Sequence, residues 1–450
     1  MKNFSTRGRY ILSTTFLLIL ILISYAYADT PAIEFTHVPP RCSTELLQGR
    51  AMGVNPSDFG VVVYIFIPYG PQGGGGWWIK PTCINPLRTI LEDGTWSCDI
   101  TTGGIDETAT GIAAFLVPKA NTLTLPCHAP ALPVPLCTYP CAETSRKMTR
   151  TIRFSGYDWE VKSMCDREIA VDPGQNVFSD EESDVWVDEE GQLHLTISQR
   201  NDRWYCTEVF TEASLGYGKY IYRLSSRVDQ LDQNVVLGLF KWDNIAPGDC
   251  LNANSDYREI DIEFSRWGNE SDALNAQFVV QPFNDPENIH RFPIELVDDN
   301  STHLFLWNGG SVIFQSLFNH PELPPTAADI IESWTYSGDV TALSGEEKAH
   351  INLWLYNGQP PSDGEDVEVV ITSFNYIPLC ECDLNHDGKC NILDYQGFIQ
   401  DWGRTNCGTP PGSGDPPNDC ECDLNQDGKC NILDYQIFIQ AWGRTDCPVP

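Results

Sequence analysis

Basic residues are scarce in this chain: 28 Lys and Arg stand against 62 Asp and Glu in 450 positions, a formal charge of −34. No block of clustered Lys or Arg interrupts the acid excess. Nothing is therefore available to neutralise a phosphate backbone, which argues against nucleic acid as a partner. Apolar runs of membrane-spanning length are missing too. The leading apolar run, Ile11 to Ile23, contains Ser13, Thr14 and Thr15 and falls short of the ~20 residues a bilayer requires. What is abundant excludes general disorder: hydrophobic residues make up 42% and aromatics 11%, with 13 Trp, enough apolar surface to build cores. A chain of this length predicts two to four domains.

Lys2, Arg7 and Arg9 precede that run, and Ala26-Tyr27-Ala28 follows it as a small-x-small pattern before Asp29. This layout predicts a secretory signal peptide over residues 1–28, and hence a secreted, extracellular protein with no membrane segment after cleavage. Export in turn reads the 17 cysteines as mostly disulfide-bonded.

Four segments follow the leader. Residues 29–118 hold short β-rich runs, Val61 to Ile67 and Ile112 to Val117 among them, between Gly/Pro/Asp turns, which predicts a small Ig-like β-sandwich. Residues 119–149 are rich in Pro and Cys; proline at that density resists regular structure, so a linker is expected. From 150 to 378 the runs lengthen and alternate, as in Leu193 to Ser198, Val235 to Phe240, Glu259 to Phe264 and Gln277 to Val280, with little helical periodicity. That pattern predicts a mainly β fold, an antiparallel two-sheet jelly-roll sandwich. The last segment, 379–450, repeats itself. Residues 380–407 and 420–447 differ only at His386/Gln426, Gly397/Ile437, Asp401/Ala441 and Asn406/Asp446, the mark of a tandem module.

In Glu259-Ile260-Asp261-Ile262-Glu263-Phe264 acid and apolar residues alternate without a break. On a strand the three carboxylates then share one face while Ile260, Ile262 and Phe264 enter the core. Spacing alone is weak, because Asp180, Glu182 and Asp184 show it too; that triple has no apolar partner face and reads as a solvated loop. Clustered carboxylates repel, so one keeps a proton while another stays charged. Glycoside cleavage needs that division: one carboxylate attacks the anomeric carbon, a second protonates the leaving oxygen.

Here the chain resembles glycoside hydrolase family 16, laminarinase-like enzymes with a concanavalin-like jelly roll. The likeness rests on Glu259 to Glu263, on Gly216-Tyr217-Gly218-Lys219-Tyr220, on Leu239-Phe240-Lys241-Trp242, and on Trp307 and Asn352-Leu353-Trp354. It spans roughly 150–378 and implies a retaining endo-β-glycosidase acting on a polysaccharide, a β-glucan or a galactan. By that likeness Glu259 is the nucleophile, Glu263 the general acid/base, and Asp261 the residue that hydrogen-bonds and tunes Glu259. Flat aromatic rings stack on sugar faces, which makes Trp242, Trp267, Tyr257 and Trp204 substrate-binding candidates; for Trp204, as for Trp307 and Trp354, core packing is the stronger reading. The alternative function is a non-catalytic carbohydrate-binding or adhesion protein on the same scaffold.

Each tail repeat contains Asp-x-Asn-x-Asp-Gly-x-x-Asn-x-x-Asp. The oxygen donors fall at EF-hand positions 1, 3, 5, 9 and 12, with a carbonyl at 7 and Gly at 6 for the sharp turn. They are Asp383, Asn385, Asp387, Lys389 (carbonyl), Asn391 and Asp394 in one copy, and Asp423, Asn425, Asp427, Lys429 (carbonyl), Asn431 and Asp434 in the other. Two structural Ca2+ sites are predicted. After each loop Ile392, Tyr395, Phe398, Ile399 and Trp402 recur at helical spacing. Two such loop-helix units resemble a type I dockerin, which implies a cohesin-type scaffold protein as a partner. Four cysteines per repeat could hold zinc through Cys-x-Cys spacing, but export favours two internal disulfides in each copy.

Overall fold

The computed structural model describes residues 30–68, 75–120, 124–165, 169–243, 259–308, 311–338, 347–380, 382–385, 387–405, 407, 422–424, 429–445 and 447–448. The expected signal peptide, Tyr257, Asn425 and Asp427 lie outside the described residues. Among the described residues no helix is long and apolar enough to cross a membrane. The chain divides into two compact units, one formed mainly by residues up to Arg146 and the other mainly by residues from Lys147 onward.

In the first unit, a three-stranded sheet (Ala32–His37, Leu47–Met52, Thr95–Cys98) accompanies a six-stranded one. The central strand of the larger sheet, Phe59–Ile67, is apolar at nearly every position and buried along almost its whole length. A strand that is apolar on both sides needs cover on both sides. Val61, Val63 and Ile65 join Leu47, Trp96 and Ile112 in one core; Val62, Tyr64 and Phe66 join Leu132 and Leu136 in a second. The covering residues Leu132 and Leu136 come from the proline-rich stretch, and this corrects the linker expectation for 119–149. That stretch contributes the strands His128–Ala129 and Cys141–Ser145, which pair with Gly76–Lys80 and Gly111–Pro118. The disulfide Cys83–Cys127 ties it down.

The second unit is mainly β, as expected. One hydrogen-bonded path of strands folds over on itself into two layers in jelly-roll fashion. The first layer runs Ile289–Phe292, Ala276–Val280, Ile260–Phe264, Val235–Asp243, Glu347–Leu355 and Arg203–Thr211 in spatial order. The hairpin between Leu193–Arg200 and Arg203–Thr211 carries the path into the second layer, which continues through Val367–Pro378, Gly218–Ser225, Asn300–Asn308, Ser311–Phe318 and Ile330–Tyr336. Alternation then sorts the side chains. Ile260, Ile262 and Phe264 are buried, with the Phe264 ring 4.7 Å from His303 on the other layer. Full burial of each such side chain stabilises the fold by about 1.5–3 kcal/mol. Trp307 is also a core residue, fully buried beneath the Lys241 ammonium.

The tail forms two short helices, α1 (Ile392–Phe398) and α2 (Ile432–Phe438). Each starts with a capping box: Asn391 Oδ1 accepts from Leu393 N–H and Asp394 accepts from Asn391 N–H, and Asn431 and Asp434 do the same in the second copy. The copies interlock reciprocally. Gly403 N–H donates to Cys430 O and Gly443 N–H to Cys390 O, while Phe398 and Phe438 pack at 4.7 Å. Two disulfides stay inside the copies, Cys382–Cys390 and Cys422–Cys430, but Cys380 crosses to Cys447. This corrects the expectation of two internal bridges per copy: with the two ends of the tandem brought together, the outermost cysteines are nearest neighbours. The helical apolar stripe also divides. Phe398 is buried, whereas Ile392, Leu393, Ile399 and Trp402 are exposed, as are their counterparts Ile432, Leu433, Ile439 and Trp442.

Candidate active site

Strand pairing builds the site row by row. Glu263 faces Gln277 on one side and Gly238 on the other; Gly238 pairs with Asn352, and Asn352 with Glu208. One row along, Val279, Asp261, Phe240, His350 and Phe210 lie in register. Glu259 immediately precedes the strand, and its carbonyl accepts from Gln281 N–H. Three carboxylates thus stand on one face of a sheet whose other face is core.

Neighbours differentiate them. Asp261 is buried and hydrogen-bonds Glu259, while Gln281 Nε2 donates to its Oδ2 at 3.2 Å. Glu263 receives Gln277 Nε2 at 2.7 Å. Burial, then the charges of Glu259 and Glu263, push Asp261 well above the usual carboxylate range. Glu259 is raised by burial and by Glu263, against the pull of the Asp261 hydrogen bond. Burial raises Glu263 to about 7, with the Gln277 bond opposing. The arrangement leaves Asp261 as the proton holder donating to Glu259, while Glu259 and Glu263 are both raised to about 7 and differ in their hydrogen-bond partner, Asp261 for one and Gln277 for the other.

Farther along the same face, Glu208 accepts from Lys162 Nζ at 2.7 Å and lies 3.0 Å from His350 Nδ1. Burial alone would raise its proton affinity, but Lys162 and His350 outweigh that and hold it at about 2. His350 is stacked between Phe210 and Phe240 at 4.9 and 4.8 Å. Gly238 makes room for an amide beside Glu263, since a Cβ there would meet Asn352 Oδ1 at 2.5 Å. None of Gln277, Gln281, Glu208, His350 or Asn352 was singled out as a site residue from sequence. The alternation Gln277-Phe278-Val279-Val280-Gln281 signals the two glutamines; the others depend on pairing between distant strands.

Of the aromatic candidates, Trp242 is 43% exposed, on the strand beside the carboxylates, with its ring edge-on to His350 at 5.8 Å. Trp267 is half-buried against Trp354 and Tyr356, and its indole N–H donates to Gln277 Oε1 at 3.2 Å. Trp204 is half-buried on Arg203–Thr211, four residues before Glu208 and so about 13 Å farther along the strand.

In the first tail loop, Asp383 accepts from Asp387 and Gly388 N–H, and Asp394 accepts from Asn385 N–H at 3.2 Å. Burial, with Asp394 and Asp387 close by, raises the proton affinity of Asp383 despite those hydrogen bonds. Oxygen donors that wrap a turn and repel one another fit a hard divalent cation. Among the described residues, no three carboxylate, imidazole or thiol groups close on a common point; the donor set draws on amide and carbonyl oxygens as well. The second loop repeats the placement at Asp423, Lys429, Asn431 and Asp434 as far as it is described.

Comparison with known proteins bears on the two regions separately. No curated protein matches the chain. Among solved structures it is similar to the β-glucanase of Bacillus licheniformis, with 16% identity over 48% of this chain and 91% of that one and a TM-score of 0.35. It is similar also to a β-1,3-1,4-glucanase (lichenase) from a mouse hindgut metagenome, with 17% identity over 51% and 99% and a TM-score of 0.35. A third is an immunostimulatory antigen and pseudo β-1,3-glucanase of Mycobacterium tuberculosis, with 14% identity over 49% and 90% and a TM-score of 0.37. Residues 381–441 match the family Dockerin type I domain, whose members bind calcium and cohesins, and the tandem tail carries a domain of that type.

Proposed function

We propose that the chain is a secreted retaining endo-β-glycosidase of the glycoside hydrolase family 16 type, which cuts a β-glucan or galactan and carries two calcium-loaded repeats that dock on a cohesin-type partner. The observation that carries the reading is the different hydrogen bonding of three like groups on one strand face: Asp261 bonded to Glu259 and Gln281, and Glu263 to Gln277. A binding protein gains little from three clustered carboxylates that repel. For catalysis the arrangement supplies both halves of a double displacement. Glu259 attacks the anomeric carbon as the glycosidic C–O bond breaks, and Glu263 gives its proton to the departing oxygen. Glu263 then takes a proton from water, whose oxygen attacks the same carbon and releases Glu259. Trp242, exposed beside the carboxylates, offers a flat face to the sugar.

Calcium would be held by Asp383, Asn385, Asp387, the Lys389 carbonyl and Asp394, and by Asp423, Asn425, Asp427, the Lys429 carbonyl and Asp434. Asn391 and Asn431 point their side-chain oxygens at helix N–H groups and support the loop from its far end. Bound cations would relieve the carboxylate repulsion. The exposed pairs Ile392-Leu393 and Ile432-Leu433 offer the docking faces.

The test is reducing-sugar release from laminarin, mixed-linkage glucan, agarose and carrageenan. The parent is expected to cut at least one. Binding to a glycan of that panel without any product would sink the enzyme reading in favour of a carbohydrate-binding protein.

A further inference from the structure

The Trp267 indole, a candidate sugar platform by its residue type, has a defined hydrogen-bond partner beside the carboxylates. Its N–H donates to Gln277 Oε1 at 3.2 Å, and the Gln277 amide nitrogen donates to Glu263 Oε2 at 2.7 Å. The first bond fixes the second: with Oε1 turned to the indole, only the NH2 end can face Glu263. Nothing else about Trp267 is loose. It sits in a left-handed turn with φ of 52°, followed by Gly268 at 78°, and its backbone N–H donates to Ser265 Oγ at 3.0 Å. Tyr356 packs edge-on to its ring, and a Cβ at Gly268 would meet Tyr356 Cδ1 at 3.2 Å. The turn is therefore built to hold the indole against Gln277.

We propose that Gln277, aligned by the Trp267 indole, is a positioning residue that occupies Oε2 of Glu263 and so reserves Oε1 for the proton delivered to the leaving oxygen. The inference rests on the reading of Glu263 as the acid/base, and it makes the Trp267 turn part of that machinery. A neutral amide suits the task. Lys or Arg in its place would pin Glu263 in the charged form, which cannot donate, whereas one amide bond fixes the carboxyl plane and perturbs its proton affinity only modestly. Among the described residues, the titratable or charged groups in register on this face are Glu259 and Asp261 on the same strand, His350 and Lys348 two strands away, Glu208 three strands away and Glu160 beyond it, with Arg291 two strands away on the other side. The strand Ala276–Val280 presents only Gln277 and Val279. The Gln277 amide is thus a hydrogen bond made directly to Glu263, and its removal acts on Glu263 first.

Two variants of the full chain test this. Trp267→Phe keeps a flat ring but loses the N–H; Gln277→Ala removes the amide. In protein labelled with 13C at the glutamate side-chain carboxyl, the Glu263 resonance is assigned by its loss in Glu263→Gln. Its titration is expected to move to higher pH in both variants, more in Gln277→Ala, because each loses or loosens a bond to the charged form. On whichever glycan of the panel the parent cuts, kcat is expected to fall about tenfold with KM little changed, and the alkaline limb of the rate profile to move up. An unchanged Glu263 titration in both variants overturns the proposal even if the chain is an active glycosidase. A rise in KM alone for Trp267→Phe, with titration unmoved, would return Trp267 to the platform role. If the parent cuts nothing, the glycosidase reading fails while the titration still decides the positioning.

Discussion

The carboxylates of the sheet and those of the tail are two acidic clusters assembled in opposite ways. In the tail every expected donor lies within one short loop, the loop is duplicated, and the backbone N–H groups that support Asp383 come from the same turn. On the sheet only Glu259, Asp261 and Glu263 are neighbours in sequence. Gln277, His350 and Glu208 reach them through pairing between strands far apart in the chain. A local cluster can be relieved by an ion, so its order depends on what it binds. A buried one on a sheet is held by the fold, and its repulsion persists as raised proton affinity, which is what acid–base chemistry uses.

The sharpest way to separate the clusters is Glu263→Gln, which is expected to slow glycan cleavage by about 10²–10⁴-fold while calcium uptake by the tail is unaltered in an equilibrium titration. Glu208→Ala should leave Lys162 buried without its charge partner and cost about 3–5 kcal/mol of unfolding free energy, read by denaturant melts. Removing calcium reverses the direction: a chelator should loosen the tail by about 2–3 kcal/mol if the ion was present at ~100 times its dissociation constant. Fluorescence of Trp402 and Trp442 would report this, with hydrolysis at the sheet unaltered. The smallest effect concerns pH. Because folding raises the proton affinity of Glu263 to about 7 from the ordinary 4.5, the folded state binds a proton that the unfolded chain releases at lower pH. Stability from this group is fully present below the unfolded value and is lost as pH rises through the folded one. Glu263→Gln should therefore melt about 2–4 °C above the parent at pH 8, and show no such advantage at pH 4.

Legibility followed the same divide. The alternation from Glu259 to Phe264 is a local pattern, and it assigned one face to carboxylates and one to core because a strand has no other way to dispose its side chains. The duplicated Asp/Asn loop was readable for the same reason. What needed register was invisible: nothing in the sequence around Glu208 or His350 says that they lie on the carboxylate face. The linker reading of 119–149 failed because proline density describes local conformation, whereas Leu132 and Leu136 are placed by the bare apolar face of Phe59–Ile67 that they cover. That need was already written in Val61 to Ile67, a run apolar on both faces. Disulfide partners are likewise set in space, so Cys380 found Cys447 and not a cysteine of its own copy. Trp267 shows a third kind of limit. Its bulk suggested a sugar platform, and only the turn geometry reveals that its N–H is spent on Gln277.

Glu259 and Glu263 are proposed to work as a nucleophile and acid/base pair. Proton NMR of the first products from the glycan that the parent cuts tests this pairing most directly, with Glu259→Gln run beside it. The new reducing end is expected to appear first as the β anomer, and the variant to yield no product on the same timescale. An α anomer formed first, or turnover in Glu259→Gln equal to that of the parent, would contradict the pairing.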